Sequence, residues 1–339
     1  MKRILIIHTG GTFGMVPERP KPTLRPSEVE QNIITHVPEL AQLAEIEFQV
    51  AFNLDSADMA PANWQKLARM IYEDRDRHDG FVIIHGTDSM AYSATALSFM
   101  LPNLNKPVIL TGSQRPLGEI RTDARMNLVN AVEFATREIP EVCIFFGTRL
   151  LRGNRTVKIS STEYGAFTSP NFPPLAEVGV DVHIRGNQLS LRGEPGLLPD
   201  VSDQVLALPF FPGLDPAYVA CLATTPVRAI VIEALGMGNV AIRQKSLVPM
   251  VEALSEAGKL VVITTQCRRG AVDLNRYQNG MMMEKAGAIG ARDMTTETTV
   301  VKLMHLLGNY GDNMSKVREM LTVPLAGEIS DQLSVVSDQ

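Results

Sequence analysis

The chain has 339 residues, a hydrophobic fraction of 45% and a formal net charge of −5. That length suffices for two domains of ordinary size, each with its own core. The mild acidic balance argues against a nucleic-acid or acidic-membrane partner, since such surfaces need clustered positive charge.

The start, Met1-Lys2-Arg3, has the charge of a signal peptide, but the apolar run that follows ends at His8 and Thr9. A signal core needs about 7–15 apolar residues and a membrane span about 18. The expectation is a cytoplasmic protein. Residues 2–7 read as a buried strand ending at Gly10-Gly11, and residues 45–52 as a second, alternating strand. Asp58 and Pro61 mark a helix start, with Trp64, Leu67, Ala68 and Ile71 at helical spacing. Residues 80–85 form a third strand and residues 89–101 a helix. Strands follow at 107–111 and 142–146, separated by a helix carrying Ala124, Leu128, Ala131, Val132 and Ala135. Strands alternating with helices imply a doubly wound, mostly parallel α/β sheet. Residues 192–204, rich in Gly, Pro and charge, are the expected linker. It separates a larger N-terminal domain (1–191) from a smaller C-terminal α/β domain (205–339). In the latter, 229–232 and 260–264 read as strands and 244–257 and 296–307 as helices.

In such a sheet ligands bind beyond the carboxyl ends of the strands. Four strand ends carry Thr9-Gly10-Gly11-Thr12, Asp55-Ser56-Ala57-Asp58, His85-Gly86-Thr87-Asp88-Ser89 and Thr111-Gly112-Ser113-Gln114. All are dense in hydroxyl, glycine and carboxylate, and they should converge on one crevice. A dinucleotide fingerprint fails, because Thr12 replaces the second glycine and Pro17, Pro20 and Pro22 forbid a helix after the turn. Residues 14–26 are expected to form a mobile loop, and there is no P-loop motif. Cys143, Cys221 and Cys267 lack disulfide or zinc spacing, so buried structural thiols are expected. The six histidines are scattered, and no metal is expected. The nucleophile must then be serine or threonine, which needs a base. Asp88 beside Thr87 is one candidate partner, and a desolvated Lys158 beyond the fifth strand is another. The plainer alternatives are that Asp88 caps the following helix and that Lys158 is a solvated charge.

Thr9-Gly10-Gly11-Thr12 and His85-Gly86-Thr87-Asp88-Ser89-Met90 resemble the two signature segments of bacterial-type L-asparaginases of the cytoplasmic type I branch. Asp55–Met59, Arg152–Arg155, Ser169–Asn171, Gly236–Asn239 and Asp293–Thr295 extend the resemblance over nearly the whole chain. It implies hydrolysis of L-asparagine to aspartate and ammonia without a cofactor. Thr12 would form the acyl-enzyme, while Thr87, Lys158 and Asp88 handle protons. Asp88 would also meet the substrate ammonium. Asp55, Ser56 and the Ser113 backbone would hold the amino-acid end, with Gly11, Ala57 and Gly86 completing the substrate-binding set. Asn239 would arrive from a neighbouring subunit of a homotetramer built as a dimer of dimers. The sequence departs from the family pattern in three places. Residues 21–24 lack the loop tyrosine and offer only the Thr23 hydroxyl. His305 stands where some members have a tyrosine. Glu233 stands where some members have a regulatory arginine, which argues against cooperative control. A mixed asparaginase/glutaminase is the alternative, because one methylene changes pocket binding by only about 1–3 kcal/mol. An asparaginase-like component of a tRNA-dependent amidotransferase would want an added module and a basic surface. An amino-acid-binding regulator on the same scaffold would have lost one of Thr12, Thr87, Asp88 and Lys158.

Overall fold

Ile4, Leu5, Ile6 and Ile7 are all fully buried at the centre of the first strand, as a run without period should be in a sheet covered on both faces. The computed structural model describes residues 1–15, 26–191 and 193–330. The chain divides into two compact units, Met1–Pro199 and Asp200–Gln339. The expected loop at 14–26 falls, over residues 16–25, outside the described residues, as do Arg192 of the linker and residues 331–339.

The first unit holds β1 (Arg3–Gly10), β2 (Glu45–Leu54), β3 (Gly80–Ile84), β4 (Val108–Thr111), β5 (Val142–Phe146), β6 (Arg149–Arg152), β7 (Val157–Lys158), β8 (Phe167–Thr168), β9 (Ala176–Val178) and β10 (Val182–Ile184). Its helices are α1 (Pro26–His36), α2 (Leu40–Leu43), α3 (Pro61–Asp74), α4 (Met90–Met100) and α5 (Ala124–Ala135). Eight strands form one sheet in the order β10-β9-β6-β5-β4-β3-β1-β2. From β2 to β5 the neighbours are parallel, and β6, β9 and β10 extend the sheet antiparallel. Side chains alternate across it. Ile4, Ile6, Val82, Ile84 and Ile109 join the core that includes residues of α1, α2 and α5, so Leu5, Ile7 and Ile83 face the opposite side. The chain leaves β1 toward β2 on one side and β3 on the other. That reversal of strand order is the switch point at which a doubly wound sheet opens a crevice. Strands β7 and β8 form a separate antiparallel pair.

The second unit is a four-stranded parallel sheet, β11 (Val205–Pro209), β12 (Ala229–Ala234), β13 (Leu260–Thr265) and β14 (Ile289–Gly290), in chain order. Its helices are α6 (Ala217–Ala220), α7 (Val248–Glu256), α8 (Gln278–Lys285), α9 (Thr296–Tyr310) and α10 (Met314–Leu321). Ile230, Ile232, Val261 and Ile263 pack with α7 and α8, and Ala229, Val231 and Val262 with α9 and α10. The expected two-domain α/β class is the one observed.

Two expectations need correction. The helix predicted over 244–257 begins only at Val248: Lys245 sits at φ 50°, outside the helical region, and Pro249 occupies the first turn. Of the three thiols expected to be buried, only Cys143 is; Cys221 and Cys267 are exposed, and all three are free. Cys143 lies inside β5, whereas the other two follow the ends of α6 and β13, where side chains leave the core.

Candidate active site

Three strand-end loops meet backbone to backbone at the switch point. Gly11 directly follows β1 at φ +83°, and its N–H donates to the carbonyl of Leu54 at 3.0 Å. A Cβ on Gly11 would stand 2.5 Å from the Cα of Gly86, and one on Gly86 would stand 2.7 Å from Cβ and Oγ of Ser56. No side chain fits at either place, so the loops after β1, β2 and β3 touch only because both residues are glycine. A short helical turn, Thr12–Gly14, follows directly. Phe13 anchors it from within the core, its carbonyl accepting from Leu117 N–H at 3.3 Å, and Thr12 stays half-buried.

Ser56 fastens the second loop to the third. Its buried Oγ accepts from Asp88 N–H at 3.1 Å, and its carbonyl accepts from the Ser89 hydroxyl at 2.5 Å. In the same turn Asp55 is exposed, with Oδ1 accepting from Ala57 N–H at 2.9 Å. Asp88 does not cap α4. Ser89 takes the cap position, and the Asp88 carboxylate turns to Lys158, whose Nζ lies 2.6 Å from Oδ1. The same Nζ donates to Thr87 Oγ1 at 2.8 Å. The Lys158 side chain is only 17% exposed against 68% for Asp88, so Nζ is not the solvated group of the plainer alternative. It reaches this place on the β7–β8 hairpin, beyond the buried turn Gly153–Arg155 that packs against α4.

The fourth loop adds Gln114, a residue to which the sequence alone assigns no role. Gln114 Oε1 faces Thr87 Oγ1 at 3.5 Å, its Nε2 donates to the Glu163 carbonyl at 3.0 Å, and its N–H is held by the Asp123 carboxylate. Its place directly after Ser113 is the signal that could have found it. Ser113 is buried, and its hydroxyl has no partner among the described residues. Asn239 belongs to the second unit. It closes the turn after β12, exchanging backbone hydrogen bonds with Leu235 at 2.7 and 3.0 Å. Among the described residues no group of three His, Cys, Asp or Glu could hold a metal ion.

The arrangement presents a threonine in a tight turn beside a Thr–Lys–Asp set, a pattern suited to acyl transfer with proton relay. Two family models cover the chain: Asparaginase, N-terminal, over residues 3–190, and Glutaminase/Asparaginase C-terminal domain, over residues 204–321. The chain belongs to the asparaginase family. It is 38% identical over 336 residues to L-asparaginase 1 of Escherichia coli, covering 97% of this chain and 98% of that one. The structure of L-asparaginase I from Vibrio cholerae superposes with a TM-score of 0.87 at 37% identity, covering 97% and 99% of the two chains. The Thermococcus kodakarensis L-asparaginase gives 0.89 at 35% identity, covering 97% and 100%. A relative bearing another name is a mouse 60 kDa lysophospholipase at 36% identity, covering 97% of this chain and 63% of that one.

Proposed function

We propose that this asparaginase-family chain hydrolyses the side-chain amide of L-asparagine through an acyl-enzyme on Thr12. The observation that carries the reading is Lys158 Nζ held between Thr87 Oγ1 and Asp88 Oδ1, in the loop onto which the Gly11–Thr12 turn is packed. Thr12 Oγ attacks the amide carbon, its proton leaves toward the Thr87–Lys158 pair, and the leaving amine takes a proton to depart as ammonia. Water then attacks the Thr12 ester, with the same pair accepting its proton, and aspartate is released. Backbone N–H groups of the strand-end loops stabilise the oxyanion, a contribution of about 3–4 kcal/mol per donor. Asp88 pairs with the substrate ammonium, and Asp55, Ser56, Ala57 and the Ser113 backbone hold its amino-acid end. Because the Ser56 hydroxyl is already committed to Asp88 N–H, its backbone is the part left for the substrate.

The active unit in this reading is a homotetramer of close dimers, with Asn239 supplied by a neighbouring subunit. The exposed apolar side chains of Leu235 and Met237 on the same turn support an interface there. A cytoplasmic location belongs to the same reading; among the described residues no helix is long and apolar enough to cross a membrane. Glutamine is the second candidate substrate, favoured by the description of the C-terminal family.

Ammonia release from asparagine, glutamine and D-asparagine by the parent, beside Thr12→Ala, tests the proposal. The variant should fold, bind aspartate and lose nearly all turnover. Turnover above about a tenth of the parent, far more than loss of a covalent nucleophile leaves, would falsify the assignment. Sedimentation of a fully active species at the 37.1 kDa of one chain would remove the shared site.

A further inference from the structure

Behind the catalytic loop runs a line of buried hydrogen bonds. Trp64, the single tryptophan of the sequence, lies on α3, and its indole Nε1–H donates to Ser93 Oγ on α4 at 2.9 Å. Ser93 Oγ lies 2.9 Å from His85 Nε2, and His85 Nδ1 lies 2.6 Å from the Gly86 carbonyl oxygen. Ser93 is fully buried and His85 is 1% exposed.

Every link has one possible direction. An indole N–H only donates and a peptide carbonyl only accepts, so Nδ1 carries the imidazole hydrogen and gives it to Gly86. Burial brings the His85 pKa down to about 4, so the ring is neutral at neutral pH and Nε2 is bare. The Ser93 hydroxyl must then donate to Nε2 while accepting from Trp64. An imidazole held at both nitrogens can neither flip nor change tautomer. Its hydrogen bond ends on the carbonyl of Gly86, the residue against whose Cα both Gly11 and Ser56 pack, in the peptide that leads into Thr87 and Asp88.

We infer that His85 is a positioning residue, backed by Ser93 and Trp64, which fixes the Gly86 peptide and through it the placement of Thr87 against Lys158 and of Thr12 beside them. The inference rests on the acyl-transfer reading above, but its test is a ratio of variant to parent. A parent that released no ammonia would overturn the reading of the reaction, while an unchanged ratio would overturn this inference.

The decisive pair is His85→Phe, which keeps ring volume without a donor, and His85→Asn, whose amide can still donate to the Gly86 carbonyl. Turnover is expressed per aspartate-binding site, counted by calorimetry, so that loss of folded protein does not register. His85→Phe should lower kcat about tenfold or more, the scale of a small misplacement at a reacting centre, and His85→Asn should restore it to within about threefold of the parent. Equal losses in the two variants, or a per-site kcat for His85→Phe within about twofold of the parent, would overturn the inference. If His85→Phe does not fold, Ser93→Ala reads the same line. It should lower kcat per site about threefold and speed solvent exchange of the Trp64 indole proton, followed by NMR without substrate. Full kcat with a still-protected indole proton would overturn it.

Discussion

At Lys158 the plain alternative and the chemical one differ in what surrounds a single nitrogen. The Nζ sits 2.8 Å from a hydroxyl and 2.6 Å from a carboxylate on a largely buried side chain. Lys158→Met keeps the stem and removes the amine that the proposed mechanism uses to carry protons. We expect kcat to fall about 10²-fold or more, the scale of lost acid–base catalysis, measured as steady-state ammonia release. An unchanged kcat would leave the contact structural. Thr12, Thr87, Asp88 and Lys158 were all legible as candidates, because a strand end followed by glycine and hydroxyl is a local pattern. The grouping of Thr87, Lys158 and Asp88 was legible too, from the resemblance, but the contacts that hold their loops were not. That Ser56 would spend its hydroxyl on Asp88, or that Gln114 would face Thr87, depends on loops 32 and 27 residues apart in the chain. The thiols show the same limit. Burial pushes the Cys143 thiol well above its ordinary pKa, whereas Cys221 and Cys267 lie exposed. A thiol-titrating reagent should therefore count Cys221 and Cys267 quickly in the native protein and Cys143 only after denaturation.

Elements with a strong period declared themselves. β1, β3, β5 and α3 stand close to where alternation, apolar runs and Pro61 put them. β6, β9 and β14 did not, since they are two to four residues long and exist only because a neighbouring strand offers hydrogen bonds. Between elements, the Gly11–Gly86 contact is a tight constraint at the candidate site. Gly11→Ala would place a methyl carbon 2.5 Å from a backbone atom at a φ unfavourable to alanine. Activity should collapse with measurable loss of stability, and retention of parental kcat would mean that the loops can part without consequence. In the second unit Lys302 of α9 and Glu328 form an ion pair at 2.5 Å with neither side chain exposed. The carboxylate also accepts from the N–H groups of Leu325 and Ala326. Lys302→Met would strand that charge in the interior at about 3–5 kcal/mol, lowering Tm, and Glu328→Gln added to it should recover part of the loss. A calorimetric Tm unchanged by Lys302→Met would show that the segment relaxes into solvent.

Across the molecule, three histidines share one electrostatic fate. Burial brings His8, His85 and His305 from an ordinary 6.5 down to about 4. As pH falls below 6.5 the unfolded chain takes up protons at these positions while the folded chain does not, until about pH 4. Stability from these groups is thus complete above pH 6.5 and is lost on acidification through that window, by at most about 1.4 kcal/mol per pH unit for each histidine. Glu297, whose pKa burial raises from its ordinary value, acts in the opposite sense, one group against three. His8 and His85 lie in the first unit and His305 in the second, so both should weaken together. Tm should fall between pH 7 and pH 5, and a flat profile there would contradict the burial of these rings. The two-domain α/β class was readable from the succession of strands and helices. The antiparallel extension of the first sheet was not, because nothing local distinguishes a strand that returns from one that crosses over.

The short β7–β8 pair has a consequence for how this protein can vary. Val157 faces Thr168 and Lys158 faces Phe167, with Ile159 N–H closing on the Ala166 carbonyl. Side chains on a strand alternate, so the placement of the lysine is a matter of parity: shift the pairing by one and Val157 occupies its position. An insertion at the tip, between Ser161 and Thr162, lies beyond the last pair and leaves that parity alone. Deleting Thr156 changes it and presents an aliphatic side chain where the Lys158 amine stood. In this stretch residue count upstream of the pair matters more than residue identity, and a one-residue frame error would be as damaging as losing the lysine itself.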